Sequence, residues 1–410
     1  MAYICDLHIH SKYSRATSKD MDVENLSRWA SVKGIGLLGT GDFTHPGWLD
    51  ELKNKLGPQR RGIYEYKGTD FILSAEVSNI YFKNGRTRKV HNVLFAPSFE
   101  VVGEINKMLS SYGNLESDGR PILSLECDKM VRALKKIAPE IMVVPAHIWT
   151  PHFSVYGSNS GFDTMEECFE DEIDSLSALE TGLSSDPPMN WRLSTLDRYF
   201  LVSNSDAHSP ARIGREANVL REEVDYFGLK EALEKKDAGM FMYTVEFFPQ
   251  EGKYHWDGHR KCGARLSPRE SAKINNRCPV CGKRLTVGVM NRVEQLADRE
   301  EGYVLKEAPG FKSMIPLVEI ISEALGVGRD SAAVAREYNM LTQRIGTEFD
   351  ILLFKGADEL AERCPQKITR GILNVREGRV QVTPGYDGEY GSVEIFGESD
   401  EEKEKQLTFF

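Results

Sequence analysis

Short apolar runs alternate with helical stretches over the first 250 residues of the chain. The runs read as strands at Tyr3–His10, Ile35–Asp42, Phe71–Phe82, Val90–Ala96, Met142–Ile148, Ser177–Glu180, Phe200–Asp206 and Met240–Phe248. Between them, periodicity predicts helices near Asp22–Val32, Trp48–Leu56, Val101–Ser111 and Glu126–Ile137. Strands alternating with helices imply mainly parallel pairing, and six or more such units suggest a closed barrel rather than an open sheet. The polar residues sit at the trailing ends of the runs: Asp6, His8, His10, Asp42, Glu76, His147, Glu180, Asp206 and His208. In a parallel barrel these ends share one rim, so residues far apart in sequence meet there.

One register can be counted. Asn84-Gly85 reads as a two-residue hairpin turn that pairs Lys83 with Arg86 and, further out, Ser78 with His91. Side chains alternate along a strand, so Glu76 and Ser78 share a face with His91, and Glu76 and His91 can reach one metal from adjacent strands.

After residue 250 the pattern changes. Residues 251–292 are rich in Gly, Pro, Cys and basic side chains, 293–397 look helical with a late hairpin around Pro384-Gly385, and 398–410 form an acidic tail ending Gln406-Leu-Thr-Phe-Phe410. A chain of 410 residues fits two or three domains. No run approaches the length of a membrane span and the first residues do not resemble a leader, so the expectation is a protein that is neither exported nor membrane-inserted.

Charge sharpens this division. The chain carries a net −10, which by itself argues against nucleic acid, but residues 255–292 hold nine Lys and Arg against two acidic residues. The seven cysteines are four singletons, Cys5, Cys127, Cys168 and Cys364, and a cluster of three, Cys262, Cys278 and Cys281, which is no disulfide framework. His259-x2-Cys262 and Cys278-Pro-Val-Cys281 supply the four N/S ligands of a structural zinc, with His255 as alternate. The cations on this module, Arg260, Lys261, Arg284 and Arg292 among them, suit phosphate contacts; Arg86, Arg88 and Lys89 at the hairpin add a second backbone clamp.

Seven of the nine histidines lie in the first 210 residues, mostly beside strand ends. Imidazoles and carboxylates suit zinc, manganese or iron, and a carboxylate such as Glu76 or Asp206 can bridge two ions. Clustered divalent ions activate water and stabilise attacking and leaving oxygens in phosphoryl displacement. The motifs Asp6-Leu-His-Ile-His10, Gly41-Asp-Phe-Thr-His45, Ser74-Ala-Glu76, Val90-His91, Pro145-Ala-His147, Leu179-Glu180 and Ser205-Asp-Ala-His208 resemble, in order, the PHP (polymerase and histidinol phosphatase) superfamily of metal-dependent phosphoesterases. That resemblance, carried by roughly residues 3–210, implies a distorted seven-stranded βα (PHP) barrel; with the module and helical region read above, the expected fold is α/β, a barrel over residues 1–250 followed by the zinc module and a helical C-terminal domain. The resemblance also implies one metal on His8, His10, Glu76 and Asp206, a second on Glu76, His91 and His147, and a third at His208. Where the family usually has further histidines this chain has Ser14-Arg15 and Phe43, leaving His45 or Asp42 to substitute. Asp206, Glu180 and His208 are the catalytic candidates, with Glu180 open between ligand, partner of a histidine N–H and proton carrier.

A barrel alone fits a small-molecule phosphatase but gives a basic zinc module no purpose. Over its full length the chain resembles the endonuclease Q family of DNA-repair nucleases, through His255-Trp-Asp-Gly-His-Arg260, Cys278-Pro-Val-Cys-Gly282, Val287–Arg299 and Pro384-Gly-Tyr-Asp-Gly-Glu389. The resemblance implies hydrolysis of the phosphodiester 5′ of uracil, hypoxanthine, xanthine or an abasic site in double-stranded DNA. It implies a structural zinc, two or three catalytic ions (zinc, manganese or magnesium), lesion recognition by the helical domain, and a cytoplasmic, nucleoid-associated setting. Trp149, Phe153, Tyr156 and Trp191 are aromatic candidates for stacking, and Gln406, Leu407, Phe409 and Phe410 resemble a sliding-clamp-binding peptide. The rivals are a phosphoesterase acting on DNA ends or a small phosphate ester, and a non-catalytic DNA- or clamp-binding scaffold.

Overall fold

A computed structural model of the chain describes residues 2–176 and 178–397. Seven strands form the ring: β1 (Tyr3–Asp6), β2 (Leu37–Gly39), β3 (Thr69–Lys83), β4 (Arg86–Ala96), β5 (Met142–Pro145), β6 (Ala178–Glu180) and β7 (Phe200–Val202). β1, β2 and β3 run parallel, with Cys5 opposite Leu37 and Leu37 opposite Asp70. β4 is antiparallel to both β3 and β5, which departs from the all-parallel expectation and distorts the barrel. The ring continues where Ile148 N donates to Glu180 O, runs parallel from β6 to β7, and closes where Ile9 bridges Ala207 beside β1. β8 (Ala217–Leu220), β9 (Phe241–Glu246) and β10 (Gly310–Ser313) extend the sheet outward from β1.

The helices follow local chemistry. Asp22 caps the helix Val23–Lys33 by accepting from Asn25 N, the helix buries Val23, Leu26 and Ala30, and Gly34 ends it at φ 85°. This face does not meet the barrel alone. Ile4, Leu26 and Val219 share one apolar core with Leu317, Ile320, Val334, Phe349 and Ile372 of the C-terminal helices. Lys33 Nζ lies 3.0 Å from buried Glu348, which also accepts from Tyr338 Oη at 2.7 Å and Leu317 N at 3.0 Å. Val289 and Val293 of the helix Val289–Leu296 join the core on the opposite side of the ring. The cysteine-bearing segment between these regions has a core of only Ala264, Cys278 and Leu285. Among the described residues no helix is long and apolar enough to cross a membrane.

Candidate metal centre

The inward ligands sit at or just past the ends of ring strands. His8 and His10 follow β1 two residues apart, and Asp206 N donates to His8 O, which sets Asp206 beside them. In the β3–β4 hairpin Ser78 pairs with His91 and Lys83 with Arg86, so Glu76 shares the His91 face. His147, Asp206 and Asp42 hold φ values of 31°, 48° and 49°. Side-chain-bearing residues rarely adopt this left-handed region, and three around one mouth mark backbone bent to aim side chains. Gly182 leaves the room His147 needs, because a Cβ there would stand 2.4 Å from the His147 Cβ.

Glu76, fully buried, is the hub. Its Oε1 lies 2.7 Å from His91 Nδ1 and 3.0 Å from His147 Nε2. Its Oε2 lies 3.3 Å from His10 Nε2, 3.7 Å from His8 Nε2 and 3.1 Å from Arg120 Nη1. Asp206 Oδ1 stands 3.0 Å from His10 Nε2 and 3.8 Å from His8 Nε2. Two groups of ligand atoms result, His8–His10–Glu76–Asp206 and Glu76–His91–His147, each lying within 4.8 Å of one another. They share Glu76, one oxygen turned to each.

The other nitrogen of each ring is held from behind. His8 Nδ1 lies 3.0 Å from both Glu180 oxygens, and His10 Nδ1 lies 3.1 Å from Asp42 Oδ1. His91 Nε2 is 2.8 Å from Ser78 Oγ, and His147 Nδ1 is 3.1 Å from Thr150 Oγ1. Such partners fix ring orientation and tautomer at metal sites. By contrast His8 Nε2, His10 Nε2 and Asp206 Oδ1 are shielded from solvent and, although they crowd one another, none meets a partner at a hydrogen-bonding angle. Shielded polar atoms normally find partners. Three that converge unsatisfied, on nitrogen and carboxylate oxygen, fit a divalent cation.

Crowding also sets the protonation. Burial opposes charge on His8, but Glu180 and Glu76 beside it hold its pKa well above the usual histidine value. His10 is likewise raised against burial by Asp42, Asp206 and Glu76. Burial alone would push Glu76 and Asp206 up. His91, Arg120, His10 and His147 hold Glu76 well below the carboxylate range, and His10 and His8 do the same for Asp206. For His91 burial wins over Glu76 and lowers it to about 4. Without metal, the acids around His8 and His10 favour the protonated rings over the neutral ones.

A separate group lies in the cysteine-bearing segment: His259, Cys262, Cys278 and Cys281, with ligand atoms within 4.8 Å of one another. His259 ends the strand Asp257–His259, Cys262 ends the turn that leads into the strand Ala264–Leu266, and a turn in which Gly282 N donates to Cys278 O at 2.9 Å carries the others. Burial would raise the Cys278 thiol, but backbone N–H groups of Cys281 and Val280 and the His259 ring bring it down to about 6, favouring the ligating thiolate. Four such donors are the set that could close tetrahedrally around a metal ion such as zinc. His255, the alternate, is buried outside the group with Nδ1 unpaired.

Comparison with known proteins bears on both sites. The family model described as the MJ0043 C-terminal domain matches residues 316–379, the helical bundle. The uncharacterised MJ0043 protein of Methanocaldococcus jannaschii is 34% identical over 255 residues, 60% of this chain and 31% of its own, so the chain spans about a third of that relative. YqxK of Bacillus subtilis, also uncharacterised, is 29% identical over 406 residues, 95% of this chain and 98% of its own. The crystal structure of the lesion-specific endonuclease PfuEndoQ from Pyrococcus furiosus matches at 30% identity with a TM-score of 0.88, covering 100% of this chain and 99% of that one. The chain belongs to the endonuclease Q family. A second family structure, endonuclease Q with a 27-mer duplex bearing an abasic lesion at its active site, matches at 31% identity and TM-score 0.85 over 98% of both chains.

In this chain, several residues singled out from the sequence stand outside the ligand groups. Asp42 commits Oδ1 to His10 and Oδ2 to Ser11 N, Ser11 Oγ and Ser14 Oγ at 2.6, 2.7 and 2.8 Å, so it positions His10 rather than binding an ion. His45 starts the helix Pro46–Lys55 and stacks on Tyr13 at 4.3 Å. His208 lies at the lip with its ring 4.5 Å from His10, and no third ligand group forms around it among the described residues. Glu180 is fully buried and accepts from Asn204 Nδ2 and His147 N besides facing His8; it orients ligands and does not face the mouth.

The cations divide similarly. Arg86, Arg260, Lys261 and Arg284 are exposed and Lys89 is half-buried. Arg88 is buried, donating to Gly161 O with its guanidinium over Phe162. Arg292 donates to Tyr156 O, Phe162 O and Asp163. Both fasten loops to the barrel and are not free for phosphate. Trp149, Tyr156 and Trp191 are core residues, and Phe153 packs on His91 at 4.6 Å. Gln406, Leu407, Phe409 and Phe410 lie outside the described residues. Sequence reasoning missed Arg120; its only signal is the turn Asp118-Gly-Arg-Pro121 ahead of a short strand.

Proposed function

We propose that this chain is a metal-dependent DNA repair endonuclease that hydrolyses the phosphodiester 5′ of a deaminated base (uracil, hypoxanthine or xanthine) or an abasic site. The observation that carries the reading is one buried carboxylate, Glu76, serving two groups of ligand atoms at the mouth of an endonuclease Q fold. Two or three divalent ions (zinc, manganese or magnesium) held there would polarise the phosphate and make water a competent nucleophile near neutral pH. In this reading Asp206 and His208 face the reacting phosphate from the rim, while Glu180 and Asp42 keep His8 and His10 aimed. A third ion would need His208.

The substrate reading draws support from the surroundings. A cleft of about 730 Å³ lies between the loop after His147 and the zinc module, lined by Thr150, His152, Asn159, Tyr254, Arg284 and Gln295 among others. Thr150 also holds His147, so the cleft begins one hydrogen bond from a metal ligand. Its size and its mixture of aromatic and polar groups suit an extruded base, and extrusion costs least at a mismatched or damaged position. The zinc module, with one structural zinc, and the helical region 293–397 would then hold the duplex beside the barrel of residues 1–250. The tail 398–410 is read as a sliding-clamp tether and the setting as cytoplasmic, at the nucleoid.

End-labelled duplexes carrying a single uracil, hypoxanthine, xanthine or abasic site test the proposal. Nicking on the 5′ side of the lesion, with an undamaged duplex left intact, is expected. Preferential digestion of DNA ends or of a small phosphate ester would replace it with a general phosphoesterase. Duplex binding with no hydrolysis under any divalent metal would leave a scaffold.

A further inference from the structure

We infer that Arg120 grips the scissile phosphate, as a catalytic residue of the barrel mouth distinct from the metal ligands. The inference rests on the phosphodiesterase reading of that mouth and adds a residue to it.

Arg120 is held by its neighbours. Gly119 N donates to Tyr13 O at 3.0 Å, Thr44 Oγ1 donates to Gly119 O at 3.0 Å, and Ser78 N donates to Pro121 O at 2.9 Å. The residues on either side are thus tied to the barrel. Only glycine fits at 119, because a Cβ would lie 2.3 Å from Asp42 Oδ2 and 2.4 Å from Ser14 Oγ, the pair that fixes His10. The backbone that aims a metal ligand therefore also aims the guanidinium.

The guanidinium itself is mostly uncommitted. Nη1 lies 3.1 Å from Glu76 Oε2, and among the described residues Arg120 has no other side-chain hydrogen bond or ion pair. Its side chain is 26% exposed, so it is not sealed in the core like Glu76. Arg88 and Arg292 instead spend donors on backbone carbonyls, and Arg292 also on Asp163. Glu76 leans on Arg120 as one of several positive neighbours, a duty that divalent ions at the two ligand groups would take over. What remains is a fixed planar cation beside those groups with its fork free. That geometry matches two oxygens of one phosphate, and the charge falls where negative charge builds during phosphoryl displacement. A lysine offers a point charge without the fork.

The test uses the full-length, metal-loaded protein with Arg120→Ala and Arg120→Lys. Single-turnover nicking, metal content by mass spectrometry and inhibition by inorganic phosphate are measured together. Metal content should stay at the wild-type level while nicking by Arg120→Ala falls about 100-fold, the cost of removing one transition-state donor. Added guanidinium should restore about tenfold of that loss, Arg120→Lys should recover little, and phosphate inhibition should weaken about tenfold. Wild-type phosphate inhibition in Arg120→Ala overturns the inference. A loss of rate that follows loss of metal also overturns it, making Arg120 a counter-ion of Glu76 alone. Should Arg120→Ala fail to fold, Arg120→Lys decides, since it keeps the charge and removes the fork. If wild-type protein does not nick a lesion duplex, the functional reading has failed; phosphate binding to wild type and variant by calorimetry then still decides Arg120.

Discussion

The barrel mouth and the cysteine module each gather nitrogen, oxygen or sulfur donors around a point, and they do so by opposite means. At the mouth the ligands hang on a closed ring between two large apolar cores, and each imidazole is held from behind by Glu180, Asp42, Ser78 or Thr150. In the module the apolar core is Ala264, Cys278 and Leu285. Burying three side chains contributes roughly 5 kcal/mol at most, while each ordered residue costs about 1–2 kcal/mol of backbone entropy. Buried Asp257 adds a hinge, accepting from Gly288 N, Ser271 Oγ and Asn291 Nδ2, but does not close that gap. The barrel positions its ligand groups by its own packing; the module would need a bound metal to hold its shape.

Removing the module's metal is the strongest way to break that contrast. Cys278→Ser should abolish zinc binding there, forfeiting on the order of 10 kcal/mol of metal-coupled folding. Hydrogen exchange should then show amides of 257–286 unprotected while those of β1 and β3 stay closed. A module that keeps its protection without zinc would show that the Asp257 network suffices. Next comes Asp206→Asn, nearly isosteric at the mouth. The barrel should stay folded and duplex binding survive, with nicking down on the order of 1000-fold. Full activity would remove Asp206 from the site.

Glu180→Gln probes the support behind the ligands. It keeps the shape and the Asn204 contact but weakens the hold on His8, so metal affinity should fall about 10- to 100-fold with the fold intact. Competition against a chelating dye measures this. The pH dependence follows from the same crowding. In the metal-free chain the raised His8 and His10 pKa values stabilise the fold below the unfolded histidine value near 6.5, and that contribution is lost as pH rises through the raised values. Glu76 and Asp206, held low, stay ionised. Metal binding runs the other way, because an ion must displace those protons, and affinity should climb about tenfold per pH unit for each proton released. Calorimetry in buffers of differing ionisation enthalpy should count close to two protons; none would mean that both rings are already neutral.

The two regions also differ in how far the sequence reveals them. The module is local: its four candidate ligands lie within 23 residues, from His259 to Cys281, and their types suit zinc. The hairpin register was legible because Asn84 and Gly85, at φ 53° and 78°, admit only one tight turn, and counting outward from it sets Ser78 against His91. The antiparallel course of β4 follows from that same turn, although alternation with helices argued for parallel pairing. Residue type could not separate Asp42, which supports a ligand, from Asp206, which converges with the ligands, since both end strands with the same left-handed φ. Nor could it show that Arg88 turns inward onto Gly161 while Arg86, two residues away, stays exposed, because the loop that receives Arg88 lies more than 70 residues downstream. Arg120 was invisible for the same reason: its partner is Glu76, brought close where Ile122 pairs alongside Ser78 of β3.

The smallest expected effect separates cations that build from cations that bind. Lys261 is exposed on the zinc module and Arg88 is buried under the hairpin, yet both read from sequence as phosphate contacts. A lost phosphate contact lowers the slope of log Kd against log salt by about 0.9 and weakens binding to lesion and undamaged duplex alike. Lys261→Ala should show that signature with cleavage position unchanged. Arg88→Ala should leave the salt slope as it was and instead destabilise the fold by about 1–3 kcal/mol, the cost of unpairing the Gly161 carbonyl, read by chemical denaturation. If the two variants exchanged behaviours, the hairpin would turn Arg88 outward when DNA is bound, and the rigidity ascribed to the barrel mouth would belong only to its metal ligands.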